Sequence, residues 1–73
     1  MLYVQHVDRE SQDVDEVMGL ADTPSEALDI FEENTYANYD YDRTDVHERL
    51  CDGNDVSIQP EGRTSFYVKI ARA

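Results

Sequence analysis

One cysteine, one lysine, three glycines, two prolines and no tryptophan stand among 73 residues. The lone Cys51 cannot close an internal disulfide, which points to a reducing, cytoplasmic setting. No apolar run approaches the roughly 18–20 residues that a membrane-spanning helix needs. Met1-Leu2-Tyr3-Val4-Gln5 lacks the basic flank and apolar stretch of a signal peptide. Gly19, Gly53 and Gly62 are scattered, so no glycine-rich loop is available to cradle a phosphate. Basic residues are scarce too. Six of them face 17 acids, a net charge of −11.

That charge excludes partners as well as compartments. Nucleic acids and anionic membranes are polyanions, so the chain is expected to bind neither directly. A gel shift of bare nucleic acid by micromolar protein at moderate salt would overturn this. The acids are also unevenly placed. Ten of them lie between Asp8 and Glu33 with only Arg9 against them, whereas residues 56–73 hold Glu61 alone beside Arg63, Lys69 and Arg72. An acidic stretch of this kind repels itself, at a cost in stability.

Enough apolar material remains to fold. Leu, Ile, Val and Phe number 16, or about 22% of the chain, just above the roughly 20% below which a highly charged chain stays disordered. One small domain spanning residues 1–73 is expected, with a thin core.

Local patterns give its elements. Leu2 to Val7 and Val14 to Ala21 read as two strands of a hairpin, with Val14, Met18 and Leu20 among the apolar residues of the second. Thr23-Pro24-Ser25-Glu26 is a helix start: Thr23 as cap, Pro24 in the first turn, Glu26 closing a capping box. The helix runs to about Asn34, buries Ala27, Leu28 and Phe31, and wets Glu26, Asp29, Glu32 and Glu33. Tyr36 to Arg43 alternates with period two, which predicts a short strand or an extended loop. Thr44 to Cys51 reads as a short second helix closed by Gly53. Val56 to Gln59 and Thr64 to Ala71 form a second hairpin around Pro60-Glu61-Gly62-Arg63. Phe66, Val68 and Ile70 are its inward face, and Phe66→Ala should cost roughly 3–5 kcal/mol if the ring is fully buried. The fold class is α+β: a small antiparallel sheet of two hairpins, with the Tyr36–Arg43 segment as a fifth strand, packed on one main helix with a short second helix.

Patterns of reactive residues argue against chemistry. Ser11, Ser25, Ser57 and Ser65 lie in no nucleophile-elbow motif. His47 and Cys51 are four apart on the short helix, and His6 could complete a zinc set, but no cysteine pair supports it. Read from Asp40, a calcium loop would place Asp45 where glycine is required and Cys51 where glutamate is. Read from Asn38 it meets Arg43 and Arg49, so both registers fail. No catalytic, metal or cofactor residue is assigned, and the chain is expected to be non-enzymatic.

The acids themselves remain. Glu26, Asp29 and Glu33 share a helix face at spacings of roughly 4.5–6 Å along the axis. Asp40 and Asp42 stand roughly 6.6–6.8 Å apart on the expected strand. A DNA strand carries a charge every ~3.4 Å of axis, so such rows approximate a phosphate track and could enter a basic channel on another protein. Tyr36, Tyr39 and Tyr41 lie among them. Tyr36 suits an interface anchor, and Tyr39 and Tyr41 either join it or complete the core. The expected partner-binding set is Glu26, Asp29, Glu33, Tyr36, Asp40 and Asp42, and a homodimer is compatible with it.

In size, charge and hairpin–helix–hairpin order, the chain resembles phage-encoded inhibitors of host defence nucleases: the anti-restriction proteins that mimic DNA, and anti-CRISPR proteins. The resemblance implies steric and electrostatic blockade of a nucleic-acid-binding effector in the host cytoplasm, with no cofactor. Salt adaptation, for which abundant Asp and scarce Lys are the expected composition, and docking of an accessory subunit are the competing explanations of the charge.

Overall fold

Thr23-Pro24-Ser25-Glu26 starts a helix as its residue types require. In the computed structural model, which describes residues 1–35, 38–62 and 64–72, the helix α1 spans Pro24–Asn34. Thr23 is extended, and its Oγ1 accepts from the Glu26 amide at 3.2 Å. The Glu26 carboxylate accepts from the Asp22 amide, also at 3.2 Å, so the box closes one residue earlier than the usual reciprocal pair. No glycine ends α1. Asn34 Nδ2 donates to the Ile30 carbonyl at 2.8 Å and Thr35 Oγ1 to that of Phe31 at 2.9 Å, which satisfies two of the terminal acceptors. The second helix, α2, spans Arg43–Cys51 and ends at Gly53, whose φ of +90° a side chain would strain.

Five antiparallel strands complete the fold: β1 (Leu2–Asp8), β2 (Val14–Ala21), β3 (Tyr39–Asp40), β4 (Val56–Pro60) and β5 (Phe66–Arg72). Their order across the sheet is β2-β1-β5-β4-β3. The two hairpins therefore lie side by side, with β1 and β5 paired from Leu2 opposite Arg72 to Asp8 opposite Phe66. Both helices pack on one face over a single core of Leu2, Val4, Ala27, Leu28, Phe31, Val46, Leu50, Val56, Ile58, Val68 and Ile70, joined by Ala21. The architecture is α+β, as the pattern predicts.

The Tyr36–Arg43 segment carries the expected short strand, β3, and then gives way to the start of α2. Among the described residues, its strand pairing is that of Tyr39 and Asp40 with Pro60 and Gln59 of β4. Asp42 is the N-cap of α2, accepting from the amides of Thr44 at 2.9 Å and Asp45 at 3.3 Å, and Arg43 is already helical. Capping chemistry outweighs alternation here, because a carboxylate that accepts two amide protons removes two otherwise unsatisfied donors. Tyr36, Ala37 and Arg63 lie outside the described residues. Phe66 is only partly buried and stacks on His6, with ring centroids 4.3 Å apart. The expected cost of Phe66→Ala therefore drops below the range for a buried ring.

Two irregularities place the apolar residues of β2. Val4 faces Gly19 while Gln5 faces Val17, which leaves Met18 as an extra residue. His6 faces Glu16 while Val7 faces Val14, which leaves Asp15 as another. Each bulge resets the alternation. Val14, Val17 and Leu20, three apart in sequence, consequently share the sheet face turned away from the helices. Gly19 faces α1, where a Cβ would stand 3.0 Å from Ile30 Cγ2. Gly19→Val should crowd the Ile30 side chain against α1 and cost about 1–3 kcal/mol in chemical denaturation. An unchanged midpoint would contradict this close approach.

Candidate functional site

Ten acids and two arginines lie between Asp22 and Asp52, the stretch that builds both helices. All ten acids are exposed. The helices share one side of the sheet, so most of these carboxylates form a single acidic layer over the core.

Within the layer, the expected binding residues have unequal freedom. Glu26 caps the entry to α1. Asp29 Oδ1 accepts from Arg43 Nη2 at 3.0 Å, and Arg43 Nη1 bonds Glu32. This fork ties α1 to the first turn of α2 and holds the Arg43 guanidinium above its ordinary ionisation range, chiefly through Asp29 and then Glu32. Such exposed pairs contribute only about 0.2–1 kcal/mol each. Glu33 is exposed and, among the described residues, makes no side-chain bond. Asp42 spends its carboxylate on the α2 cap. Asp40 sits opposite Gln59, on the side of the sheet away from Tyr39. It belongs to the outer edge and forms no row with Asp42. Tyr36 lies outside the described residues.

Spacing does not single out Glu32, yet it lies at the centre of the layer. Its partners are Tyr41, from the β3–α2 connection, and Arg43, the first residue of α2, and no helical periodicity reports how they are brought to it. Tyr41 donates its hydroxyl proton to Glu32 Oε2 at 2.5 Å. Tyr39 and Tyr41 both set their rings edge-on to Phe31, with centroids 5.0 and 5.1 Å away. The two tyrosines thus finish the core with their rings, and Tyr41 reaches the acidic layer with its hydroxyl. A groove of about 390 Å³ opens beside them, lined by Glu32, Thr35, Asn38 and Glu61 over Phe31.

Burial first, then the hydrogen bond and negative charge of Glu32, push the Tyr41 hydroxyl from 10.0 up to about 12, against a smaller opposing effect of Arg43. Burial also raises Tyr39. A tyrosine raised in this way favours the folded state while protonated. Its contribution is complete below the unfolded value of 10.0 and is lost as pH rises through about 12. Absorbance titration should show one tyrosine ionising near pH 12, with stability falling between pH 10 and 12. A titration in which every tyrosine ionises together near 10 would contradict the Tyr41–Glu32 bond.

The histidine–cysteine pair meets on α2, with Cys51 Sγ 3.7 Å from His47 Nδ1, and Ser25 Oγ lies 3.2 Å from His47 Nε2. His6 stacks on Phe66 instead of joining them. Ser25 and Cys51 are exposed and His47 is half-buried, so the three groups lie at or near the surface. Among the described residues no three His, Cys, Asp or Glu side chains converge as metal ligands. No described helix is long and apolar enough to cross a membrane. No protein-family model, curated protein or solved structure matches the chain.

Proposed function

We propose that the chain is a non-enzymatic binding protein whose acidic helix layer blocks the basic, nucleic-acid-binding surface of a partner. Phage-encoded inhibitors of CRISPR and restriction effectors work in this way, in the cytoplasm of the host. The single observation that carries the reading is the segregation of charge: ten exposed acids against two arginines across α1, the β3 connection and α2. Glu26, Asp29, Glu33 and Asp42 supply the negative charge of this layer, and Asp40 adds to it from the sheet edge. The Glu32–Tyr41 groove offers a partner's arginine or lysine a carboxylate flanked by aromatic rings, a setting that favours cations.

Affinity capture from host lysate, followed by mass spectrometry, tests the reading. The captured protein is expected to be a nucleic-acid-binding one, and its retention should weaken as salt rises, because exposed charges are screened within about 8 Å at physiological ionic strength. The excess of Asp over Glu with a single Lys favours salt adaptation as the second reading. The two separate in dilute buffer. A binding protein from an ordinary cell keeps its circular dichroism there, whereas a salt-adapted one unfolds.

A further inference from the structure

The sheet face opposite the helices carries a different chemistry from the rest of the surface. Three cross-strand rows run over β2, β1 and β5: Leu20–Tyr3–Ala71, Val17–Gln5–Lys69 and Val14–Val7–Tyr67. None of these positions is a carboxylate, and Lys69 is the only charge among them. Val14, Val17 and Leu20 are 47, 46 and 51% exposed. Val7, 2% exposed, belongs to this side and not to the helix-covered core. Beside it, Arg9 from the β1–β2 turn lies over the Tyr67 ring at 5.7 Å and bonds Gln59 at 2.6 Å. Among the described residues no element covers this face.

We propose that its occupant is a second copy of the same chain, packed sheet against sheet about a two-fold axis. The charge distribution selects this partner. A basic protein is drawn to the helix side and meets Lys69 and Arg9 here. An acidic one is repelled by a body of −11. A second copy brings the same three rows free of carboxylates, with Asp40 only at the far β3 edge. It also leaves each helix layer outward, with the sheets ~10 Å apart and the acidic layers roughly 30 Å apart, about three Debye lengths or more at physiological salt. The long stem of Lys69 can lie along the apolar rows while its ammonium reaches the rim. Edge-to-edge pairing through β2 is the poorer alternative, because its two bulges and the charges of Asp15 and Glu16 interrupt that edge.

The size is marginal. The five strands, of 7, 8, 2, 5 and 7 residues, present roughly 460 Å² a side at ~3.3 Å rise and ~4.8 Å spacing, so a pair buries ~900 Å², in the range of weak, transient interfaces. The dimer is accordingly expected to be concentration-dependent. Its salt dependence is opposite to that of the acidic layer, since screening removes repulsion between copies and leaves the apolar attraction in place.

Sedimentation equilibrium over a range of protein concentrations tests this, at low and high salt. Wild type should pass from 8.4 kDa to twice that mass, at lower concentration when salt is raised. Val17→Glu and Leu20→Glu, both at exposed positions that the fold tolerates, should remain monomeric throughout, and Glu33→Lys on the helix side should dimerise like wild type. A wild type that stays monomeric at millimolar concentration, or a dimer that survives both face substitutions, overturns the proposal. Neither result bears on capture of a basic partner by the helix side, so the two readings fail separately.

Discussion

Phe31→Ala is expected to be the most damaging single substitution in the chain. Phe31 is 1% exposed and sits where α1 meets the sheet and the β3 connection. Its ring takes the edges of both Tyr39 and Tyr41. Removing a buried phenylalanine costs about 3–5 kcal/mol, and each lost aromatic pair adds roughly 0.5–1.5 kcal/mol. A domain of this length has only about 4–11 kcal/mol in total. The variant should therefore melt roughly 15–30 °C lower, and the late-titrating tyrosine should move back toward its ordinary range, because Tyr41 loses the ring that holds it against Glu32. A loss below about 1 kcal/mol, far short of the usual cost of emptying such a site, would mean that Phe31 does not hold the two tyrosines in place.

The second large effect is collective. Single acidic side chains at an exposed rim contribute little and act mainly on association rate, so Asp29→Asn alone should barely change partner capture. Combining Glu26→Gln, Asp29→Asn, Glu33→Lys and Asp42→Asn takes the net charge from −11 to about −6, counting one unit for each amide and two for the lysine. It also leaves a hydrogen-bond acceptor at each position with a structural contact. Glutamine at position 26 retains an acceptor for the α1 entry, asparagine at position 29 retains one for Arg43, and asparagine at position 42 is a good helix cap. The protein should remain folded, with partner affinity lower by roughly 100-fold or more and a shallower salt dependence. Adding Asp40→Lys removes about two more units of negative charge and isolates the sheet edge. Because Asp40 faces away from the helix layer, this last change should have a smaller effect than the first four together.

The capping signals are legible because they are local. Thr23-Pro24-Ser25-Glu26 determines a helix start within four residues, and the hydroxyl, the ring and the carboxylate each act as their chemistry suggests. Both hairpins are legible for the same reason. What the sequence conceals depends on long-range register. Val14, Val17 and Leu20 fit neither period two nor a helical stripe, and only the bulges at Asp15 and Met18 put them on one face. Asp42 satisfies a strand alternation and a helix cap equally well in one dimension, and the helix has the stronger claim on it. The link between Glu32 and Arg43 joins residues 11 apart through a turn, a distance at which no pattern announces a pair. Of the expected site, the acidic α1 face is readable as exposed charge, but the structural roles of Glu26 and Asp29 are not.

The central claim is that the acidic layer occupies the site where a partner binds nucleic acid. Competition measures this most directly. The chain is immobilised, a partner is captured from host lysate, and the washed complex is challenged with duplex DNA and with single-stranded RNA at constant ionic strength. The account predicts that one of these nucleic acids elutes the partner in proportion to its concentration, and that an equal charge of free polyglutamate does so far less well. A partner that stays bound at saturating amounts of both nucleic acids, or that forms a stable ternary complex with either, would contradict it.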